Sequence, residues 1–403
     1  MRILDLTCIY PNPVVDSEGI WVQALDRTLV RQGHLVTTLV LRPWAPHWLA
    51  KRTRAYKHLA VPYRELNDQG VQVIFSNYLH VPRLPQEYRL DWNVRLMAER
   101  ALGLYRARGL SCDLVHAQGI TTGFAAELLS GELQIPFAVT LSDDLRHLEK
   151  TENRIARQRV ERTLAHASAI FAMGPGLYRQ VPRFISNSNL DKVCLAPLGI
   201  DLDGLHQILA DFPSRPTEFR GRIVSVCNLY RLKGVHENLQ AMALLLQRGV
   251  RDWHYTVVGD GPFRVELEEM VRRLGLSDHV SFVGAQPHRE AIRYIYERDI
   301  FCLPSWMEAF GQVYAEAAVC GIAAIGCLEN GPEIIIHGGE TGLLVPPRDI
   351  DALANALEFL LTHPAQAQSM GACASERVKT LTWKSTAKIY TGTFERVLAN
   401  RPA

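Results

Sequence analysis

The sequence predicts an α/β protein of two doubly wound, Rossmann-like domains. Two observations carry that expectation. Continuous apolar, β-branched runs recur along the chain, each followed by a longer helical pattern, as in parallel sheets covered on both faces. These runs form two series, and a basic, proline-containing break separates them.

The first series comprises "RILDLTCI" (2–9), "LVTTLVL" (35–41), "VQVIF" (71–75), "DLVHA" (113–117), "FAVTL" (137–141) and "SAIFAM" (168–173). The second comprises "RIVSVC" (222–227), "YTVVG" (255–259), "VSFVG" (280–284), "DIFCLPS" (299–305), "IAAIG" (322–326) and "GLLVP" (342–346). The break runs from "APLGIDLDGL" (196–205) to "DFPSRPTEFRGR" (211–222). Residues 1–205 are therefore assigned to an N-terminal domain and 206–380 to a C-terminal domain. The last helical pattern, within 381–403, is expected to pack back on the first domain. Open parallel sheets bind ligands beyond the carboxyl ends of their strands, where glycine-rich turns meet helix amino termini. The two domains are expected to face each other across a cleft at such edges.

Composition sets the outer limits. The chain has 403 residues, enough for two ordinary cores, with 47% hydrophobic and 21% charged residues. Net charge is +6 over residues 1–200 and −4 over the rest. The first half is thus the place for an anionic acceptor, though its basic residues are too sparse for duplex nucleic acid. Eight cysteines occur without a CxxC pair, which reads as free thiols in a reducing compartment. The opening "MRILDLTCIYPNP" lacks the charged and apolar regions of a secretory signal. No apolar run approaches the ~18 residues of a membrane span. A cytoplasmic protein is expected.

The segment "PSWMEAFGQVYAEAAVCG" (304–321) carries the chemistry. Pro304 stops a strand, so Glu308 belongs to a loop at a carboxyl edge. Gly311 permits a turn, and the alanine-rich stretch after it forms a helix stopped near Gly321. Amides of Phe310, Gly311, Gln312 and Val313 then lie at a helix amino terminus, where an anion such as phosphate is favoured. Glu316, about one turn in, is placed to accept hydrogen bonds from a pair of sugar hydroxyls. A diphosphate joining two sugars satisfies all of these features. The plainer alternative has Glu308 capping the helix and Glu316 solvated. "VCNLYRLKG" (226–234) adds Arg231 and Lys233 on a loop beside Gly234, cations suited to the same phosphates. "VVGDGPFR" (257–264) leaves its strand through Gly259, where small residues permit a flat base to approach. "ENGPEIIIHGGETGLLVPPRD" (329–349) is a further glycine-rich edge. In the first half, Gly19 in "PNPVVDSEGIW" (11–21) is able to admit a ligand to the backbone.

With these motifs in place, the chain resembles a retaining glycosyltransferase of the large GT-B family four. The match is most specific over 222–350, above all in the spacing of Glu308 and Glu316 around Phe310–Gly311. Weaker matches at "APLGID" (196–201), "DLVHA" (113–117) and "RQGHLVTTLV" (31–40) extend it to nearly the whole chain. The resemblance implies that Glu308, Lys233 and Arg231 are catalytic. It implies donor binding by Gly19, Asn228, Arg231, Lys233, Gly259, Gly284, Phe310, Gly311, Gln312, Val313 and Glu316, with Glu316 on the ribose and Glu308 on the donor sugar. Three departures stand out. Asn228 replaces an arginine common in relatives, so Arg231 is expected to supply the charge. Gln118 replaces a second histidine after His116. Ser142–Asp143–Asp144 replaces a histidine after the Thr140 strand. His116 and Asp143 remain as acceptor-side residues.

The expected reaction moves a hexose from a nucleotide-diphosphate sugar to a glycan or lipid-linked acceptor in surface polysaccharide or lipopolysaccharide synthesis. Cations and helix amides stabilise the leaving diphosphate, with no cofactor beyond the donor. No metal is expected, because the short Asp-x-Asp pairs at 201–203 and 349–351 stand where aspartate caps helices. Two other readings remain: a nucleotide-sugar epimerase, and a non-catalytic nucleotide-sugar-binding scaffold. A nicotinamide dehydrogenase is disfavoured, since no G-x-G-x-x-G follows strand one. Residues 42–64 hold six Lys/Arg, no acid, and Trp44, Trp48, Tyr56 and Tyr63. Two readings of that segment stay open: an anionic membrane surface, placing the protein peripherally at the inner face, or a solvated insertion whose aromatics cover the core.

Overall fold

The computed structural model describes residues 1–12, 18–44, 63–79, 86–143, 145–149, 154–215 and 218–400. The chain divides into two units. The first comprises residues 1–173, 177–199 and the chain from 383 onward; the second comprises 174–176 and 200–382.

The first unit is built on eight strands: β1 (Arg2–Thr7), β2 (Leu35–Pro43), β3 (Arg64–Asp68), β4 (Val71–Tyr78), β5 (Leu114–Gln118), β6 (Phe137–Leu141), β7 (Ala169–Ala172) and β8 (Val193–Leu195). Their order is β3-β4-β2-β1-β5-β6-β7-β8, parallel except for β3, which runs antiparallel to β4. β5 and β6 are buried at every residue, as a sheet covered on both faces requires. The edge strand β3 reads RELND, polar and partly exposed, which suits an edge.

The second unit holds β9 (Arg222–Val226), β10 (His254–Val258), β11 (Val280–Gly284), β12 (Ile300–Cys302), β13 (Ala323–Cys327) and β14 (Gly342–Val345). All are parallel, in the order β11-β10-β9-β12-β13-β14. The chain winds one way from β9 to β11 and the other way from β12 to β14. β9 and β12 therefore flank a topological switch point, the place where doubly wound sheets bind ligands.

All twelve runs of the sequence reading form strands; β3 and β8 are added. The helix Trp383–Ala399 belongs to the first unit. Tyr390 stacks on Phe171 with ring centroids 4.0 Å apart, Phe394 is fully buried, and Thr386 donates to the Pro197 carbonyl at 2.8 Å. Burial of two such rings contributes roughly 1.5–3 kcal/mol each. The unit boundary falls at 199/200, not after 205. Asp201 caps the helix Leu202–Ala210 by accepting from the Gly204 amide at 3.0 Å. That helix buries Leu205 and packs on the helices His288–Tyr296 and Gln312–Val319, which tie it to the second unit. All eight cysteines are free. Among the described residues no helix is long and apolar enough to cross a membrane.

Candidate active site

Two loops meet at the second unit's switch point. The loop after β9 makes a single 3-10 turn, Arg231–Lys233, and enters the helix Val235–Gln247 through Gly234. Gly234 has φ 76°, and a Cβ there would stand 2.2 Å from the Pro304 carbonyl oxygen, so only glycine lets the loops approach. The loop after β12 is tied to the first by the Leu232 carbonyl, which accepts from the Trp306 amide at 2.9 Å and from Ser305 Oγ at 3.2 Å.

This clamp sets the charged pair. Lys233 Nζ donates to Glu308 Oε1 at 2.5 Å, with the side chains 21% and 14% exposed. The Glu308 amide donates to Asn330 Oδ1 at 3.3 Å, and its carbonyl accepts from Gly331 at 2.9 Å. Both partners of a half-buried ion pair are thus held by backbone on either side. Three residues on, Gly311 heads the helix Gln312–Val319 with φ 85° and without a side-chain cap. The first amides of that helix have no intrahelical acceptor by geometry, and the macrodipole favours an anion there. Phe310 puts its ring into the core, 2% exposed. Gln312 is exposed and Val313 half-buried. The capping alternative for Glu308 does not hold, because its carboxylate is committed to Lys233.

Glu316 is not the solvated helix position of the plainer alternative either. Its side chain is 10% exposed, and Oε1 lies 2.9 Å from His288 Nε2. His288 opens the helix after β11, so this contact joins two strand–helix units. The hydrogen bond to Glu316 raises the His288 pKa above its ordinary value against the opposing effect of burial.

Several expected donor residues stand differently. Arg231 is 66% exposed, 3.8 Å from Glu266 and over the Phe263 ring at 5.7 Å; the structure does not bring it to the Lys233–Glu308 pair. Asn228 is exposed beside it in the chain. Gly259 has φ 135°, and a Cβ there would fall 1.8 Å from the Cys227 carbonyl oxygen. The missing side chain admits the neighbouring loop's backbone, and space for a flat base is not what it provides. Gly284, φ 83°, ends β11 and accepts from the Gly259 amide at 2.9 Å.

In the first unit, Gly19 starts the helix Ile20–Arg31 with φ 75°, and a Cβ would lie 2.7 Å from the Tyr10 amide nitrogen. Asp143 is exposed just beyond β6, and Asp144 lies outside the described residues. His116 corrects the acceptor-side expectation. It is fully buried in mid-strand, bonded through Nε2 to Thr140 Oγ1 at 2.8 Å and ringed edge-on by Phe171, Tyr390 and Phe394. Burial pushes its pKa down to about 3, so the imidazole is neutral and part of the core. Of the segment 42–64, residues 45–62 lie outside the described residues. Arg42, 3% exposed, pairs with Glu18 at 2.9 Å and is no surface cation, whereas Trp44 and Tyr63 are exposed. Asp349, like Asp201, caps a helix, accepting from Ala352 at 2.9 Å.

Sequence reasoning missed a second group behind Lys233. His236 and Glu237 open the helix Val235–Gln247, with Nδ1 and Oε2 3.1 Å apart. Trp306 meets the His236 ring edge-on at 5.4 Å, and the Arg348 guanidinium covers Trp306 at 4.0 Å. Burial lifts Glu237 to about 7 and lowers His236 to about 4. The sequence signal was the His-Glu pair directly after Lys233–Gly234, which reads as an ordinary first helical turn.

The family model described as Glycosyl transferases group 1 matches residues 211–377, and the Glycosyl transferase 4-like domain matches 19–199. The Bacillus subtilis (strain 168) protein named as a teichuronic acid biosynthesis glycosyltransferase, TuaC, is 28% identical over 369 residues, 89% of this chain and 88% of that protein. Sucrose-phosphate synthase from Thermosynechococcus elongatus shares the fold with TM-score 0.75 at 23% identity, covering 100% of both chains. HepE of Anabaena in complex with UDP-glucose has TM-score 0.66 at 17% identity, covering 99% of this chain and 100% of its own.

Proposed function

The chain belongs to the group 1 glycosyltransferases of family 4, with the GT-B fold, and from this premise we propose that it moves a hexose, with retention, from a nucleotide-diphosphate sugar held by the second unit. The observation that carries the reading is the Lys233–Glu308 pair beside an uncapped helix amino terminus, with the buried Glu316 one turn inside that helix.

Breaking the bond between sugar and phosphate leaves a cation-like sugar and puts negative charge on the diphosphate. Lys233 exchanges Glu308 for a phosphate oxygen, and the amides at Gly311–Val313 take the rest of that charge. This is a preorganised electrostatic effect, needing no reorganisation as the bond breaks. Glu308, released from Lys233, accepts hydrogen bonds from sugar hydroxyls. Glu316 accepts from the ribose diol. The acceptor attacks on the face the leaving group vacates, and the leaving phosphate takes its proton. Glu308 and Glu316 are both used on the donor, one on its sugar hydroxyls and the other on its ribose, so neither is assigned as the nucleophile of a hydrolase-like double displacement. The charges of the diphosphate are met by side chains and amides of this chain, without a metal ion. That HepE was solved with UDP-glucose supports a nucleotide-sugar donor. TuaC's name supports a place in polysaccharide synthesis, and the +6 charge of residues 1–200 supports an anionic acceptor, a glycan or a lipid-linked one.

A panel of nucleotide sugars, titrated by calorimetry into the chain and its variants, tests the reading. Glu316→Ala is expected to weaken donor binding by about 10- to 100-fold, the loss of hydrogen bonds to a charged group. Glu308→Ala is expected to lower turnover far more than binding. Both variants behaving as the parent chain would overturn the assignment.

A further inference from the structure

The contact between His288 and Glu316 has a consequence for donor recognition. The two side chains come from helices that follow different strands, β11 and β12, so nothing in local geometry forces them together. Glu316 is 10% exposed and His288 61%, so the imidazole stands on the solvent side of a carboxylate that is otherwise sunk in the protein. A carboxylate offers two oxygens. His288 Nε2 occupies Oε1 at 2.9 Å.

We propose that His288 is a positioning residue for the donor, fixing the Glu316 carboxylate through Oε1 so that Oε2 accepts the ribose 2′-hydroxyl. The inference rests on the reading of Glu316 as the ribose acceptor. An unanchored glutamate must lose its side-chain rotamer freedom when the ribose arrives, whereas one already held by His288 has lost it beforehand. The helix amino terminus is a poor place for a cationic histidine, because the macrodipole is positive there. His288 nevertheless has its pKa raised, and Glu316 is the cause. The other charges nearby are committed elsewhere: Arg289 to Asp211 at 3.0 Å, and Glu290 to Arg293 at 3.6 Å. The charge-assisted form of the clamp is complete below the ordinary histidine range and fades as pH rises through the raised pKa.

The test titrates UDP and GDP, each against its 2′-deoxy form, by calorimetry across the histidine range. The parent chain is expected to prefer the ribose form, with the preference falling as pH rises. In His288→Ala the preference drops about 3- to 10-fold at the low-pH end, the size of one hydrogen bond. In His288→Gln, which donates without titrating, the preference returns and no longer depends on pH. A purely structural role for His288 would weaken ribose and deoxyribose forms alike and would leave no such rescue. Should His288→Ala keep both the preference and its pH profile while Glu316→Ala loses them, the positioning inference fails and the site reading stands. Should Glu316→Ala keep the preference, the site reading itself fails.

Discussion

In the first unit Asp5, Asp26 and His116 sit in mid-strand or on a helix face and are fully buried, whereas in the second unit Lys233, Glu308 and Glu316 lie beyond the strand ends and keep a share of solvent. The two sheets share a winding pattern, and both carry titratable residues near the strands flanking their switch points. Depth along the strand separates them. Register puts Asp5 opposite His116 on β5 and opposite Thr38 on β2, inside a sheet covered on both faces. Gln118 donates to Asp5 at 2.8 Å and Thr38 to Asp26 at 2.7 Å. Asp5 Oδ1, 3.5 Å from His116 Nδ1, and Asp26 Oδ1 accept no hydrogen bond, and burial pushes both carboxyls toward the neutral form. Burial there neutralises charge. At the second unit's edge, opposed charges stay paired and within reach of solvent, able to exchange partners.

The largest effect that follows is on turnover. Lys233→Ala is expected to lower the rate of donor consumption by about 10²–10³, as when one preorganised donor is removed from a developing anion. Rates measured with the donor that binds best check this, and a loss below tenfold would erase the distinction between the edges. Arg231, exposed and only loosely paired with Glu266, sharpens the same point. Arg231→Ala is expected to change the rate less than about threefold, the scale of a solvent-exposed charge.

The buried carboxyls give the matching prediction for the first unit, read as stability rather than rate. Burial raises Asp5 and carries Asp26 up to about 7, against an unfolded value of about 3.9. The folded form therefore holds more protons than the unfolded form between those values. Stability is complete below the unfolded pKa and declines as pH rises through the folded one. Asp26→Asn keeps the shape and removes the titration. Its melting temperature is expected to vary less with pH over that interval than the parent's, and an unchanged slope would show that the pair is ionised in the fold.

Much of this was legible beforehand. Twelve strands announced themselves as continuous apolar runs, because a parallel sheet buried on both faces leaves few polar positions. β3 did not, since RELND is the composition of an exposed edge, and β8 is only three residues long. Glu308, Gly311 and Glu316 were legible because one strand–loop–helix unit fixes their relation. His288 was not, because its partner lies on another unit and only the tertiary fold joins them. Glu237 looked like a routine acidic residue in a first helical turn; only its burial distinguishes it. The motif around His116 suggests an acceptor residue, but a central position in a fully buried strand leaves an imidazole nowhere to go but the core. Arg231 lies two residues from Lys233 in sequence, yet the 3-10 turn that holds both sends the two side chains to different partners.

The most direct test is a crystal structure of the chain bound to the nucleotide sugar that binds best. The diphosphate is expected against Lys233 and the amides of Gly311–Val313, the ribose on Glu316, and the sugar on Glu308. A nucleotide bound elsewhere, with the Lys233–Glu308 pair intact and Glu316 out of its reach, would contradict this placement.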